Sequence, residues 1–522
     1  MKKIFREISE KPLFCILGCI LLVQLFLIGI CNLTLIDHNI DGDNAKLFVH
    51  IMEMWRHRNI AVPEWSYMTT VEIDCSSLLA LPLYAITNDI YLSFGIANIF
   101  FLFLFVGTIF YLFKNSNILY PLLTLNLLCI PYTVGMLDYF NMLFFGGAQY
   151  VIKVLLPIVF IAILINSEAD SKTWKNIWRG MVLMFAALLL VTSASSGIYV
   201  FAVGVFPICI AYLGYKVLNN EKIPRYFWIL CSASLAVVGV GIYINNRIMG
   251  GARGNRMILI NIYQVLANTF SCIAGIFELF GGATTDMTLA VFSVEGVAML
   301  IKICFVFVFL VCGIVAFKKM LMKQLDMRMV LLLSVFVWNL FVLLVTNVRA
   351  GSATYEYRYH LIGMIPLLCI TGKLLIDAFQ KAVTVQKKLF GIIGMVALVM
   401  VNVLSFQVAL DGEDKQADLK ELCAYCEPMD LSYVFMYDAS NDADMCRLIR
   451  EDDTMYLCVT TDGKTCIFDY YAGYIDGAIV KENSIFVVND SQYEFGETFE
   501  EFGYKFQKFD TVAGRSLYSI KD

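Results

Sequence analysis

Eleven predominantly apolar runs, each close to the ~20 residues that carry a helix across a hydrocarbon layer, divide this 522-residue chain. They fall at about residues 13–31, 90–113, 118–139, 150–165, 181–193, 198–217, 227–244, 297–317, 330–346, 361–379 and 390–410. Inside a bilayer every backbone polar group must be satisfied within the segment itself, so such runs have helix as their only outlet short of a closed barrel. A mean hydropathy of +0.72 with only 16% charged residues excludes a soluble domain of ordinary composition. The expected fold is an α-helical polytopic membrane protein with about eleven transmembrane helices over residues 1–410.

Charge separates the rest. From Asp411 onward 24 acidic residues stand against 10 basic ones, whereas the first 410 residues hold 29 basic against 20 acidic. Residues 411–522 therefore read as a separate acidic domain. It alternates helix-like stretches (418–426, 443–450) with the β-rich runs YVFMYD, MYLCVT, SIFVVND and SLYSI. A small α/β domain fits this pattern. It contains no His and no glycine-rich phosphate loop, and its five cysteines have no zinc spacing. Most remaining cysteines lie in apolar runs, where thiols act as small hydrophobes.

Orientation follows from Lys and Arg in short loops. Lys114, the group Lys172, Lys175 and Arg179, then Lys216, Lys222 and Arg225, then Lys318 to Arg328, and Lys381 to Lys388 all fall on one side. With a basic N-terminus and no small-residue cleavage site after the first run, we expect an uncleaved anchor and a cytoplasmic N-terminus. The loop at residues 32–89 and the acidic domain are then extracytoplasmic.

That first loop concentrates acid beside the membrane. Residues 36–74 read IDHNIDGDNAKLFVHIMEMWRHRNIAVPEWSYMTTVEID, placing Asp37, Asp41, Asp43, Glu72 and Asp74 where ionised groups are costly unless they face water or a cavity. Residues 43–58 suit a helix along the membrane surface, with Leu47, Phe48, Ile51, Met54 and Trp55 on its apolar side. The acids at its start have two readings: Asp41 or Asp43 caps the helix, or they do chemistry. Cations on the same side are Lys153, Arg247, Arg253, Arg256, Arg349 and Arg358. In TYEYRYHLIGMIPLL, Arg358 either holds a lipid phosphate by paired hydrogen bonds or snorkels within an aromatic belt.

The segment DNAKLFVHIMEMWRHRNIAVP, followed by VEIDCSSLLALPLY, resembles the first outer loop of the GT-C glycosyltransferases. This group uses polyprenyl-phosphate sugars and includes protein O-mannosyltransferases and the aminoarabinose transferase of lipid A. Asp43 matches the acid that opens a juxtamembrane helix, Val62 and Pro63 its far end, and Pro82, Leu83 and Tyr84 the stretch leading into the next span. The match departs at Asn44, which stands where a second acid belongs, leaving Asp41 as a substitute.

What the resemblance implies is a GT-C-like fold and an inverting transferase. A carboxylate takes the proton of an incoming nucleophile while cationic groups support the departing lipid phosphate. It implies Asp43 as base with Asp41 as alternative, Asp138 as a positioning acid, and Arg358 on the phosphate, with Arg253, Arg256 and Lys153 behind it. Glu72 and Asp74 bind hydroxyls of acceptor or sugar, or are merely solvated. No cofactor is required; a divalent metal between Asp41 and Asp43 is compatible with carboxylate ligation. Partners would be the polyprenyl-phosphate sugar donor, a glycan, lipid or protein acceptor, and the bilayer, with no nucleic acid. Two other classes compete: a transporter or flippase for envelope glycolipids, against which stand few charges deep in the spans and no repeat, and a non-catalytic assembly protein working through its acidic domain.

Overall fold

The computed structural model describes residues 2–63, 65, 67, 70–132, 138–167, 172–249, 258–259, 262–282, 290–347, 357–381, 384–450, 453–464 and 479–521. Among them, nine helices are long and apolar enough to cross a membrane: Pro12–Thr34, Ile90–Leu112, Lys172–Ser196, Phe201–Leu218, Arg225–Ile248, Val294–Leu321, Met327–Val345, Arg358–Lys381 and Leu389–Ala409. Three begin at acids or hydroxyls that cap them: Asp89 accepts from Leu92 N, Ser293 from Gly296 N and Asp326 from Met329 N, at 3.0, 3.0 and 2.9 Å. Leu22, Phe103, Leu183, Ile229 and Ile314 stay exposed on these helices. A contiguous apolar surface of that kind suits lipid rather than water.

Two of the eleven expected spans are shorter. Among the described residues, the run at 118–139 gives helix Leu119–Leu128 and the start of Asp138–Leu143, and that at 150–165 gives Val151–Ile165. The second has 14 of its 15 residues buried, so it forms the middle of the bundle instead of a lipid-facing wall. Here Gly204 packs on Pro157, where an added Cβ would sit in ordinary contact with the ring at 3.4 Å.

Polar contacts tie the first and last spans together. Gln24 donates to Asn402 Oδ1 (2.6 Å) and to Asn126 O (2.9 Å), and Cys31 Sγ lies 3.4 Å from Ala409 O. The ends of both helices thus emerge on one side, and the first loop and the C-terminal sheet domain share it. In the loop, short helix Ile36–Asn39 precedes helix Gly42–His57, and helix Ser77–Thr87 leads to the next span.

The C-terminal domain is a six-stranded mixed sheet. Its spatial order is Met455–Val459, Tyr433–Tyr437, Ser484–Asn489, Arg515–Lys521, Tyr504–Val512 and Thr498–Glu501, the first three parallel and the rest antiparallel. The hairpin of Thr498–Glu501 and Tyr504–Val512 was not among the expected strands, because its runs carry Glu and Lys between aromatics. Phe502 (φ 53°) and Gly503 (φ 79°) make its two-residue turn, the primed geometry that strand twist favours. Helix Ser440–Ile449 of this domain packs along helix Gly42–His57 of the first loop. The approach requires Gly42, whose missing Cβ would fall 2.8 Å from Asn441 Cα.

Candidate active site

Helix Gly42–His57 starts as its sequence dictates. Asp41, in extended conformation, is the N-cap: its Oδ1 accepts from Asn44 N at 2.8 Å and from Asn44 Nδ2 at 2.9 Å. Asn44 is fully buried, and its Oδ1 accepts from Gly147 N at 2.7 Å. A carboxylate could fill neither the donor role toward Asp41 nor that site beside an acid without repulsion, which accounts for an amide at this position.

Two residues past the cap, Asp43 points elsewhere. Its Oδ1 lies 3.2 Å from Lys46 Nζ and its Oδ2 3.4 Å from Arg358 of the Tyr357–His360 turn. Burial works to raise the Asp43 pKa, but Lys46 and Arg358 together outweigh it and hold the carboxyl below its ordinary range. Asp43 is thus ionised near neutrality, flanked by two cations, with half its side chain still exposed to incoming groups. Lys46, the residue missed from the sequence, sits one helical turn on from Asp43, a spacing at which opposite charges meet; it also lies 3.9 Å from Glu72. Glu72 adopts φ 59°, a left-handed conformation that is costly for a side chain of its kind.

Asp74 belongs to a second, buried cluster. It is fully buried and accepts from Ser195 Oγ (2.8 Å) and Ser196 Oγ (2.6 Å), with Lys153 Nζ at 3.3 Å. Lys153 also donates to Gln149 O at 3.1 Å. Backbone pairing of Val71 N with Ser195 O, and Asn245 Nδ2 donating to Ala194 O and Ser195 O, fix this strip against the end of helix Lys172–Ser196. The hydroxyl-rich end of that span, VTSASSG, was the visible signal for Ser195 and Ser196.

The structure therefore brings Asp43, Arg358 and Glu72 together around Lys46, and separates Asp41, which lines an adjoining cleft, and the Asp74–Lys153 pair, which is internal. Asp138 begins helix Asp138–Leu143 in the second loop, and its side chain lies outside the described residues. Arg253, Arg256 and Arg349 also fall outside them. Among the described residues no group of three or more His, Cys, Asp or Glu side chains is placed to hold a metal, and Asp41 and Asp43 are turned to different partners.

His50 is buried on the same helix, stacked on Trp65 (ring centroids 4.6 Å) with Nε2 3.2 Å from Tyr67 OH. Arg447 of the C-terminal domain reaches within 6.0 Å of the Trp65 ring. Burial pushes the His50 pKa down to about 3. The native imidazole is therefore neutral, and the unfolded chain binds the extra proton between about pH 6.5 and 3. Stability from this site is full above pH 6.5 and declines by up to about 1.4 kcal/mol per pH unit on acidification. Melting curves between pH 7 and 5 should show His50→Gln less acid-sensitive than the wild type; parallel curves would discard the assignment.

The described residues thus form a bundle of membrane-length helices in which an acid-led helix of the first loop faces Arg358 and a small sheet domain rests on it. Among solved structures, the chain is similar to ArnT from Cupriavidus metallidurans in the apo state, with a TM-score of 0.52 and 9% identity over 98% of each chain. It is equally similar to ArnT from the same organism bound to undecaprenyl phosphate, with a TM-score of 0.53 and 10% identity over 96% of this chain and 97% of that one. The sequence itself matches no family model and no curated protein. At such identity the likeness establishes the fold, which is the one the loop motif implied.

Proposed function

We propose that this chain is an integral membrane glycosyltransferase that moves a sugar from a polyprenyl-phosphate donor to an acceptor outside the cytoplasm, with inversion. The observation that carries the reading is the contact of Asp43 with Arg358, two residues 315 positions apart in sequence. An ionised carboxylate beside a guanidinium at the rim of a membrane bundle supplies the two groups such a transfer needs: a proton acceptor for the nucleophile and a cation for the leaving phosphate. The neighbour that binds undecaprenyl phosphate supports a donor of that class.

The pairing also suggests an order of events. Before donor arrives, Arg358 and Lys46 keep Asp43 deprotonated and weakly basic. A donor phosphate is a stronger, bidentate partner for the guanidinium. As it draws Arg358 away, the Asp43 pKa rises and the carboxylate becomes a better base at the moment the acceptor binds. In this scheme the N-terminus is cytoplasmic, Lys46 steadies Glu72 and Asp43, and Asp138 positions the acceptor.

The test uses purified full-length protein in detergent with a radiolabelled polyprenyl-phosphate sugar and cell-surface acceptor, so that no transport step contributes to product. Arg358→Ala should lower turnover about 10²–10³-fold, and Arg358→Lys should recover only part of it because the planar fork is lost. Asp41→Ala should cost about 1 kcal/mol of stability as a lost cap and keep more transfer than Asp43→Asn, with any loss appearing in acceptor KM and not in kcat. Equal transfer by wild type and Arg358→Ala would refute the proposal.

A further inference from the structure

A polar cleft of about 330 Å³ opens between the amino end of helix Gly42–His57 and the C-terminal domain. Asn39, Asp41 and Gly42 of the first loop form one wall, Asn141 of helix Asp138–Leu143 contributes a second, and Lys415, Asp418, Asp442 and Arg515 line the domain side. Three polypeptide segments distant in sequence thus converge on one space. Gln416 Nε2 donating to Ile40 O at 2.8 Å and Lys415 N to His38 O at 3.2 Å hold its two sides in register.

Its lining is polar and mixed in kind. Asn39 and Asn141 bring amides that both donate and accept, Asp41, Asp418 and Asp442 bring acceptors, and Lys415 and Arg515 bring donors, with Asp442 paired to Arg515 at 2.7 Å.

We infer that this cleft is a saccharide subsite, holding the sugar portion of the acceptor beside Asp43. The inference rests on the transferase reading and adds the chemistry of the acceptor to it. A phosphate or carboxylate ligand needs donors alone and would meet three carboxylates; an ammonium ligand needs acceptors alone and would meet Lys415 and Arg515. A neutral hydroxyl both donates and accepts, so a hydroxyl-rich ring satisfies a wall in which the two alternate. The volume falls at the low end of ligand pockets, enough for one or two sugar rings and too small for a folded protein loop. Position sets the distance: Asp41 and Gly42 line the cleft while the Asp43 carboxylate, on the next residue, turns out of it toward Lys46 and Arg358, so an acceptor seated there has to extend past the amino end of the helix to meet the base.

The test is binding to the intact protein, independent of turnover. Glycans released by mild acid from the surface of cells lacking the protein serve as probe, read by saturation-transfer NMR against purified full-length chain in nanodiscs. Asp418 and Lys415 are exposed, so Asp418→Trp and Lys415→Trp fill the cleft without disturbing the core. We expect a wild-type complex with a neutral glycan fraction, unmoved by excess inorganic phosphate and weakened at least tenfold by either tryptophan, with melting temperature unchanged. Asp43→Asn should bind that fraction as wild type does. Three results would overturn the inference: no glycan fraction bound, displacement by phosphate, or undiminished binding by both tryptophan variants. If glycan binds as described yet wild type and Arg358→Ala transfer equally, the transferase reading fails and the saccharide site stands.

Discussion

Asp43→Asn should reduce the initial rate of sugar transfer by about 10²–10⁴-fold, the range associated with loss of a positioned general base. The amide is nearly isosteric and leaves the cap at Asp41 and the buried Asn44 untouched, so membrane insertion and melting should be close to wild type. Little stability is at stake, since the carboxylate is half exposed and ion pairs of that kind contribute modestly. What little there is has a definite sign. The folded pKa is depressed, so the Asp43 contribution is present above its unfolded pKa near 3.8 and disappears as pH falls through the lower folded value. A variant that transfers sugar within tenfold of wild type would remove Asp43 from the chemistry.

Asp74→Ala should produce the largest loss of stability, about 3–5 kcal/mol, because it strands a buried ammonium. Lys153 is nine-tenths buried with Asp74 at 3.3 Å, and both Ser195 and Ser196 lose their acceptor at the same stroke. Replacing both charges, as Asp74→Leu with Lys153→Met, should return most of that stability, since an apolar pair of similar volume avoids the desolvation cost altogether. Thermal unfolding of wild type, Asp74→Leu, Lys153→Met and the double variant closes a double-mutant cycle. Transfer by the double variant assigns the pair its role: retained activity makes Lys153 a scaffold, and a collapse in donor affinity with stability restored returns it to the phosphate.

The spans were legible because hydropathy is a local property; their ends were less so, since the runs expected from 297 and 330 begin three residues earlier, right after the caps Ser293 and Asp326. Length misled at 118–139, where the described residues hold a ten-residue helix, Leu119–Leu128, and the start of another at Asp138; composition does not record where a buried helix ends. The juxtamembrane helix could be placed from its period and from a family likeness, but the two acids at its start could not be told apart. Asp41 and Asp43 differ in what faces them, and their partners, Asn44 and Arg358, lie three and 315 residues away. Lys46 was within reach through its helical spacing. The buried cluster around Asp74 and the three-walled cleft were not, since the first joins residues about eighty to 170 positions apart and the second joins the first loop to the C-terminal domain, tertiary relations with no periodic trace. The aromatic hairpin at the end of the domain escaped because its strands carry charges where a core strand would carry valine.

The seat of Asn441 on Gly42 has a consequence for biogenesis. The ribosome delivers the juxtamembrane helix almost four hundred residues before the helix that clasps it, so during most of synthesis that face waits uncovered while later spans insert. Arg358 likewise arrives long after Asp43. The contact of Asp43 with Arg358 is consequently among the last features to form, and a nascent chain stalled short of its final hundred residues would hold every acid of the first loop without the helix that packs against it.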